Sequence, residues 1–137
     1  MKTVTGYEPR FDFDVRRGQV GEEYVGTLLE AIASDSIEVK TDYGSHITGN
    51  LYVEYQQTNQ EGIEKPSGIS TTAAQWWAFA FKDGAIFVET SRLKQLCRDY
   101  YQQGRIGTRP GTPESNGTKG VLLPLTALAT GLTSHGS

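Results

Sequence analysis

Cysteine is almost missing from this chain. Cys97 stands alone in 137 residues, which excludes an intramolecular disulfide and any zinc centre built on several thiolates, and makes an intracellular setting the expectation. Histidine is nearly as scarce, and His46 and His135 are too scattered to form a histidine metal site. Long apolar runs are absent as well. The longest lie near residues 78–81 and 121–123, far short of the about 20 residues that cross a bilayer, so no membrane association is expected. No apolar stretch follows Lys2 in MKTVTGYEPRFDFD, so no secretory leader is expected and the cytoplasm is the expected location. A basic surplus is missing too: 13 Lys and Arg against 16 Asp and Glu leave a net charge of −3, unlike a protein that holds nucleic acid with a generally basic surface. Arg10, Arg16, Arg17, Arg92, Lys94, Arg98, Arg105 and Arg109 can still make a local patch.

What is present is enough chain for one domain, 1–137, with a core from about 18 to 101. Residues up to about 17 read as an arm. Val25, Leu28, Leu29 and Ile32 recur at i, i+3, i+4 and i+7, which predicts an amphipathic helix over 21–32. In 37–43, Ile37, Val39 and Thr41 alternate with Glu38, Lys40 and Asp42, a strand with two different faces. Residues 51–57 alternate in the same way, Leu51, Val53 and Tyr55 against Tyr52, Glu54 and Gln56, and a hairpin is the economical connection. Residues 58–68 are expected to form a polar loop. Ser70, Thr71 or Thr72 can cap a helix containing Ala73, Ala74, Gln75, Trp76, Trp77 and Ala78, with one tryptophan inward. A strand over 85–89 and a helix with Leu93, Leu96, Cys97, Tyr100 and Tyr101 inward follow. The Gly, Pro, Thr and Asn of 102–119 predict a flexible loop, 120–125 a final strand, and 130–137 a frayed tail. The expected class is α/β, a small mixed sheet flanked by helices.

The chemistry concentrates in Glu22, Lys40, Asp42, Glu54 and Gln56. Hydrolysis of a phosphodiester needs the phosphate charge neutralised and a hydroxide produced beside it, and Mg²⁺ held by carboxylates does both. On a hairpin, Asp42 and Glu54 would share a face near one end, and Gln56, two residues on, would lie on the face of Glu54. At 100° per residue, Glu22 sits about 70° from the centre of the helix stripe and Glu23 about 170°, so Glu22 borders the buried face. Ser70, Thr71 and Gln75, at a helix N-terminus, are candidate phosphate contacts. Taken singly, Asp42 and Glu54 also read as solvated residues on an open face.

Jointly these residues resemble the PD-(D/E)XK nucleases, the superfamily of type II restriction enzymes and archaeal Holliday-junction resolvases. The resemblance spans roughly 18–89. It rests on Gly18-Gln-Val-Gly-Glu22-Glu-Tyr-Val25, similar to the resolvase helix motif, on Thr41-Asp42 in the PD position and on Glu54-Tyr55-Gln56 in the (D/E)XK position. Ile37-Glu-Val-Lys-Thr-Asp42, Thr48-Gly-Asn50 and Pro66-Ser-Gly68 look like small phage members. The resemblance implies a restriction-endonuclease-like αβββαβ core and a metal-dependent DNA endonuclease, with Mg²⁺ or Mn²⁺ bound by Asp42 and Glu54, Glu22 assisting. It further implies DNA as partner, on branched or on phage or host substrates, and a host-cell cytoplasm for a phage-encoded chain; the small size of the domain favours a homodimer. Two positions depart from the motif. Thr41 replaces proline, and Gln56 replaces the lysine, so it cannot accept a proton at neutral pH; Lys40, on the same strand face as Asp42, is the candidate substitute. Reading Glu38-Val39-Lys40 as the E-x-K instead requires a preceding aspartate strand, for which 33–36 leave no room. The alternative function is an inactive nuclease-fold protein that binds DNA or another protein.

Overall fold

The computed structural model describes residues 15–34, 36–111 and 116–129. Contacts divide the chain into two units, one of residues up to 35 and one from 36 onward. In the first, helix α1 (Val15–Ala33) forms where the stripe predicts one, but Val25, Leu29 and Ile32 are exposed rather than packed on a core; it starts within the stretch expected to be an arm. The rest of that arm, residues 1–14, and the tail expected to fray, 130–137, lie outside the described residues.

The second unit is mixed α/β. Strand β1 (Ile37–Thr41) pairs in parallel with β4 (Trp76–Ala80), which pairs antiparallel with β5 (Ala85–Glu89), giving the order β1-β4-β5. A second sheet has the order β3-β2-β7-β6, all antiparallel, from β2 (Asn50–Thr58), β3 (Glu64–Pro66), β6 (Ile106–Arg109) and β7 (Thr118–Pro124). The short helix α2 (Ser45–Thr48) links β1 to β2, and α3 (Thr90–Gln102) follows β5. Leu51, Val53, Val121 and Leu123 from the larger sheet, Trp77, Phe79 and Val88 from the smaller, and Leu93, Leu96 and Cys97 from α3 make one shared core. Trp77, Leu51, Leu93, Leu123 and Val53 are its fully buried members, each contributing about 1.5–3 kcal/mol. No helix among the described residues is long and apolar enough to cross a membrane.

Three expectations are corrected here. The hairpin does not form: β1 and β2 belong to different sheets, because an alternating strand specifies its faces and leaves its neighbour open. The helix expected around Ala73 to Ala78 is instead a 3₁₀ turn (Gly68–Ser70), an extended link and strand β4. An unbroken run of aromatic residues and alanines suits a central strand covered on both faces, and Trp76, Trp77, Ala78 and Phe79 are all buried. The link is held extended by the Gln75 amide donating to the Ser36 carbonyl and the Thr90 hydroxyl donating to the Ala74 carbonyl at 2.7 Å. The loop expected over 102–119 holds β6, which continues the sheet beside β7.

Candidate metal and phosphate site

Asp42 leaves the sheet directly after β1, its amide still bonded to the Ala80 carbonyl at 2.8 Å. Its Oδ2 accepts hydrogen bonds from the Ser45 amide, at 3.2 Å, and from the Ser45 hydroxyl. Ser45 itself is buried at the start of α2. Glu54 comes from the middle of β2, where Leu51 and Val53 point into the core and Tyr52 and Glu54 to the opposite face. Its Oε2 accepts a hydrogen bond from the buried Ser67 hydroxyl at 2.7 Å. Gly68, next to Ser67, has a positive φ of 54°, and a β-carbon there would overlap the Glu54 carbonyl. Each carboxylate thus has one oxygen held by a serine. Asp42 Oδ1 and Glu54 Oε1 carry no hydrogen bond among the described residues.

Both carboxylates line one cavity of about 100 Å³, together with Lys40, Thr41, Tyr52 and Arg109 above a floor of Leu51, Trp77 and Phe79. Two cations and two anions therefore border one small space. Lys40 Nζ lies 5.6 Å from the Trp77 ring centre and 3.3 Å from Glu38 Oε2. The Arg109 guanidinium stacks on Tyr52, 3.9 Å from the ring centre. That ring crosses Gly120, where a β-carbon would come within 2.6 Å of it, and its hydroxyl is 2.8 Å from Thr118 Oγ1. Burial raises the Tyr52 phenol above its usual range, against the Thr118 hydrogen bond and the Arg109 charge. Tyr52 is therefore a neutral platform for Arg109 at ordinary pH.

The predicted site residues separate into groups. Asp42, Glu54 and Lys40 come together, although through two sheets rather than a hairpin. Gln56 does not join them. The β2–β7 register shifts between Glu54, opposite Gly120, and Gln56, opposite Lys119, so the bulge turns Gln56 to the face opposite Glu54. Its Nε2 is buried there without a partner among the described residues. Ser70 ends the 3₁₀ turn and donates to the Tyr55 carbonyl of β2, Thr71 follows it and donates to the Gly68 carbonyl, and Gln75 is in the extended link; no α-helix starts there. Glu22 lies on α1, in the first unit.

Arg109 is the residue that sequence reading counted only among scattered cations. Its signal was faint: a β-compatible Ile-Gly-Thr-Arg ahead of Pro110, within a glycine-rich stretch. Among the described residues no group of three His, Cys, Asp or Glu side chains could hold a metal ion. Two carboxylates with free oxygens still suit Mg²⁺, which commonly keeps several waters and takes one or two carboxylates plus substrate phosphate. No protein-family model, curated protein or solved structure matches the chain.

Proposed function

We propose that this chain is a metal-dependent DNA endonuclease hydrolysing phosphodiester bonds, with a restriction-endonuclease-like core. The observation that supports it is the convergence of Asp42, Glu54, Lys40 and Arg109 on one small cavity. In this reading Asp42 and Glu54 would hold Mg²⁺ or Mn²⁺ through the oxygens that Ser45 and Ser67 leave open. The ion, when bound, supplies charge neutralisation at the phosphate and an acidified water. Arg109, stacked on Tyr52, offers a planar fork of donors to phosphate oxygens. Lys40 stands in for the motif lysine, since Gln56 faces away. The two serines orient the carboxylates by donating to them. Glu22 as an assisting carboxylate and branched or phage or host DNA as substrate rest on the sequence resemblance, and a homodimer making paired cuts on the small size of the domain.

Incubating the purified protein with plasmid, branched and single-stranded DNA plus Mg²⁺ or Mn²⁺ tests this. Cleavage is expected from the wild type and lost in Asp42→Ala and Glu54→Ala with the fold intact; unchanged cleavage overturns the assignment. The turned-away Gln56 favours a second reading, an inactive nuclease-fold protein that binds DNA or another protein. Calorimetric titration separates the two: Mn²⁺ binding that Asp42→Asn abolishes supports the enzyme, and no binding at millimolar metal supports the binder.

A further inference from the structure

Asp42 borders two cavities, not one. Beyond the 100 Å³ space shared with Glu54 lies a groove of about 560 Å³ lined by Thr41, Asp42, Tyr43, His46, Phe81, Lys82 and Asp83. Topology puts it there. Because β1 and β4 run in parallel with Thr41 opposite Ala80, both strands leave the sheet at the same end. The segment into α2 and the turn into β5, closed by the Phe81 amide on the Gly84 carbonyl at 2.8 Å, therefore lie side by side.

The two spaces differ in chemistry. The small one has Lys40 and Arg109 and suits a phosphate. The groove has the rings of Tyr43 and Phe81 with the His46 imidazole, two carboxylates, Asp42 and Asp83, and one cation, Lys82, against two cations in the small space. Tyr43 is 79% exposed, a ring whose face the described fold leaves open directly beside Asp42. An uncharged flat group attached to a phosphate fits this pair of spaces, with the flat group against the rings.

We propose that the groove seats one unpaired nucleobase next to the phosphodiester to be cut, so that the substrate is DNA with an unstacked stretch, a single strand or a branch point, rather than continuous duplex. The placement of the phosphate rests on the nuclease reading above; the seat for the base rests on the groove. A base within a duplex has its faces covered by neighbours and cannot enter without leaving the stack, whereas a single strand offers it directly.

The test is fluorescence anisotropy of the full chain with a labelled single strand and with the blunt duplex of the same sequence, in EDTA, for wild type, Tyr43→Ala and Tyr43→Phe. The wild type is expected to bind the single strand about tenfold tighter than the duplex, the size of one base–aromatic stack. Tyr43→Ala should remove that preference with thermal stability unchanged, and Tyr43→Phe should keep it. Equal affinity for the two DNAs, or a single-strand preference that survives Tyr43→Ala, overturns the proposal. Parallel Mn²⁺ assays keep the two readings apart. Cleavage that depends on Asp42 without a strand preference sinks the base seat alone, and a Tyr43-dependent preference without cleavage sinks the nuclease reading while supporting the seat.

Discussion

Asp42 and Cys97 both stand at the wall of a cavity, and the protein treats them in opposite ways. Cys97 lies on α3 beside a space of about 390 Å³ lined also by Tyr55, Ile69, Lys94, Arg98 and Tyr101. It is 5% exposed, and burial pushes its thiol up to about 12. Lys94 and Arg98 line the same space without making the thiol acidic, since loss of hydration is what dominates. Asp42 keeps one oxygen on Ser45 and the other without a hydrogen bond among the described residues, and it lines a cavity with Lys40 and Arg109. Membership of a cavity is thus a poor guide to chemistry. What separates the two places is what the side chain touches: Asp42 accepts from Ser45, whereas Cys97 packs among the apolar side chains of the core.

Glu54→Ala set against Cys97→Ala gives the largest expected effect. Under the nuclease reading, loss of a metal-holding carboxylate removes several kcal/mol of transition-state stabilisation, so the initial rate of plasmid nicking should fall by at least about 100-fold. Cys97→Ala should leave that rate unchanged while lowering Tm, because it empties packed volume in the core. A rate that falls equally in both variants would erase the contrast.

Ser67→Ala asks how much the donor is worth. It removes the hydrogen bond on Glu54 Oε2 without touching the carboxylate. Outer partners of metal ligands typically matter by 10–100-fold, and a drop of about tenfold in apparent Mn²⁺ affinity is expected by calorimetry. An unchanged affinity would show that Glu54 is positioned by its strand alone. Gly68→Ala attacks the same support through the backbone. The left-handed conformation costs a β-carbon about 1–2 kcal/mol, and the overlap with the Glu54 carbonyl adds to it. The urea midpoint should therefore fall by at least that much free energy, with metal affinity falling too as β2 shifts.

Periodicity carried much of this into the sequence. The helical period of α1, the alternation of Leu51 and Val53 against Tyr52 and Glu54, and the inward Leu93, Leu96 and Cys97 of α3 are local properties and were legible, although the α1 stripe is exposed. Pairing was not. Ile37 to Thr41 says which side chains share a face, but only the rest of the fold says that β4 rather than β2 lies beside it. The Trp76–Phe79 run was ambiguous because a short apolar segment fits a buried helix or a central strand, and the serines and threonines before it tipped the reading to the helix. Gln56 failed for a subtler reason: a bulge changes parity without a sequence signature, and it separates Gln56 from Glu54 while leaving Asp42 and Glu54 together. Arg109 became part of the site only through Tyr52, a contact between strands more than fifty positions apart in the chain.

At neutral pH the smallest effect expected is the titration of Cys97, which acts only in alkali and tests the Cys97 side of the contrast. A thiol whose folded value is about 12 against an ordinary 9.0 stays protonated in the native protein while the unfolded chain ionises above pH 9. Its contribution to stability is complete below pH 9 and is lost progressively as pH rises from 9 towards 12. Tyr52 and Tyr55 are shifted upward as well, both chiefly by burial, so they act in the same direction at the alkaline end. The urea midpoint should fall across this window, and Cys97→Ala should flatten its first part while leaving the tyrosine part. At pH 8 the native thiol should react with a disulfide reagent far more slowly than in urea, because both thiolate fraction and access are small. Prompt labelling of the native protein would show instead that the groove beside α3 opens readily, and that Cys97 and Asp42 differ less than their surroundings imply.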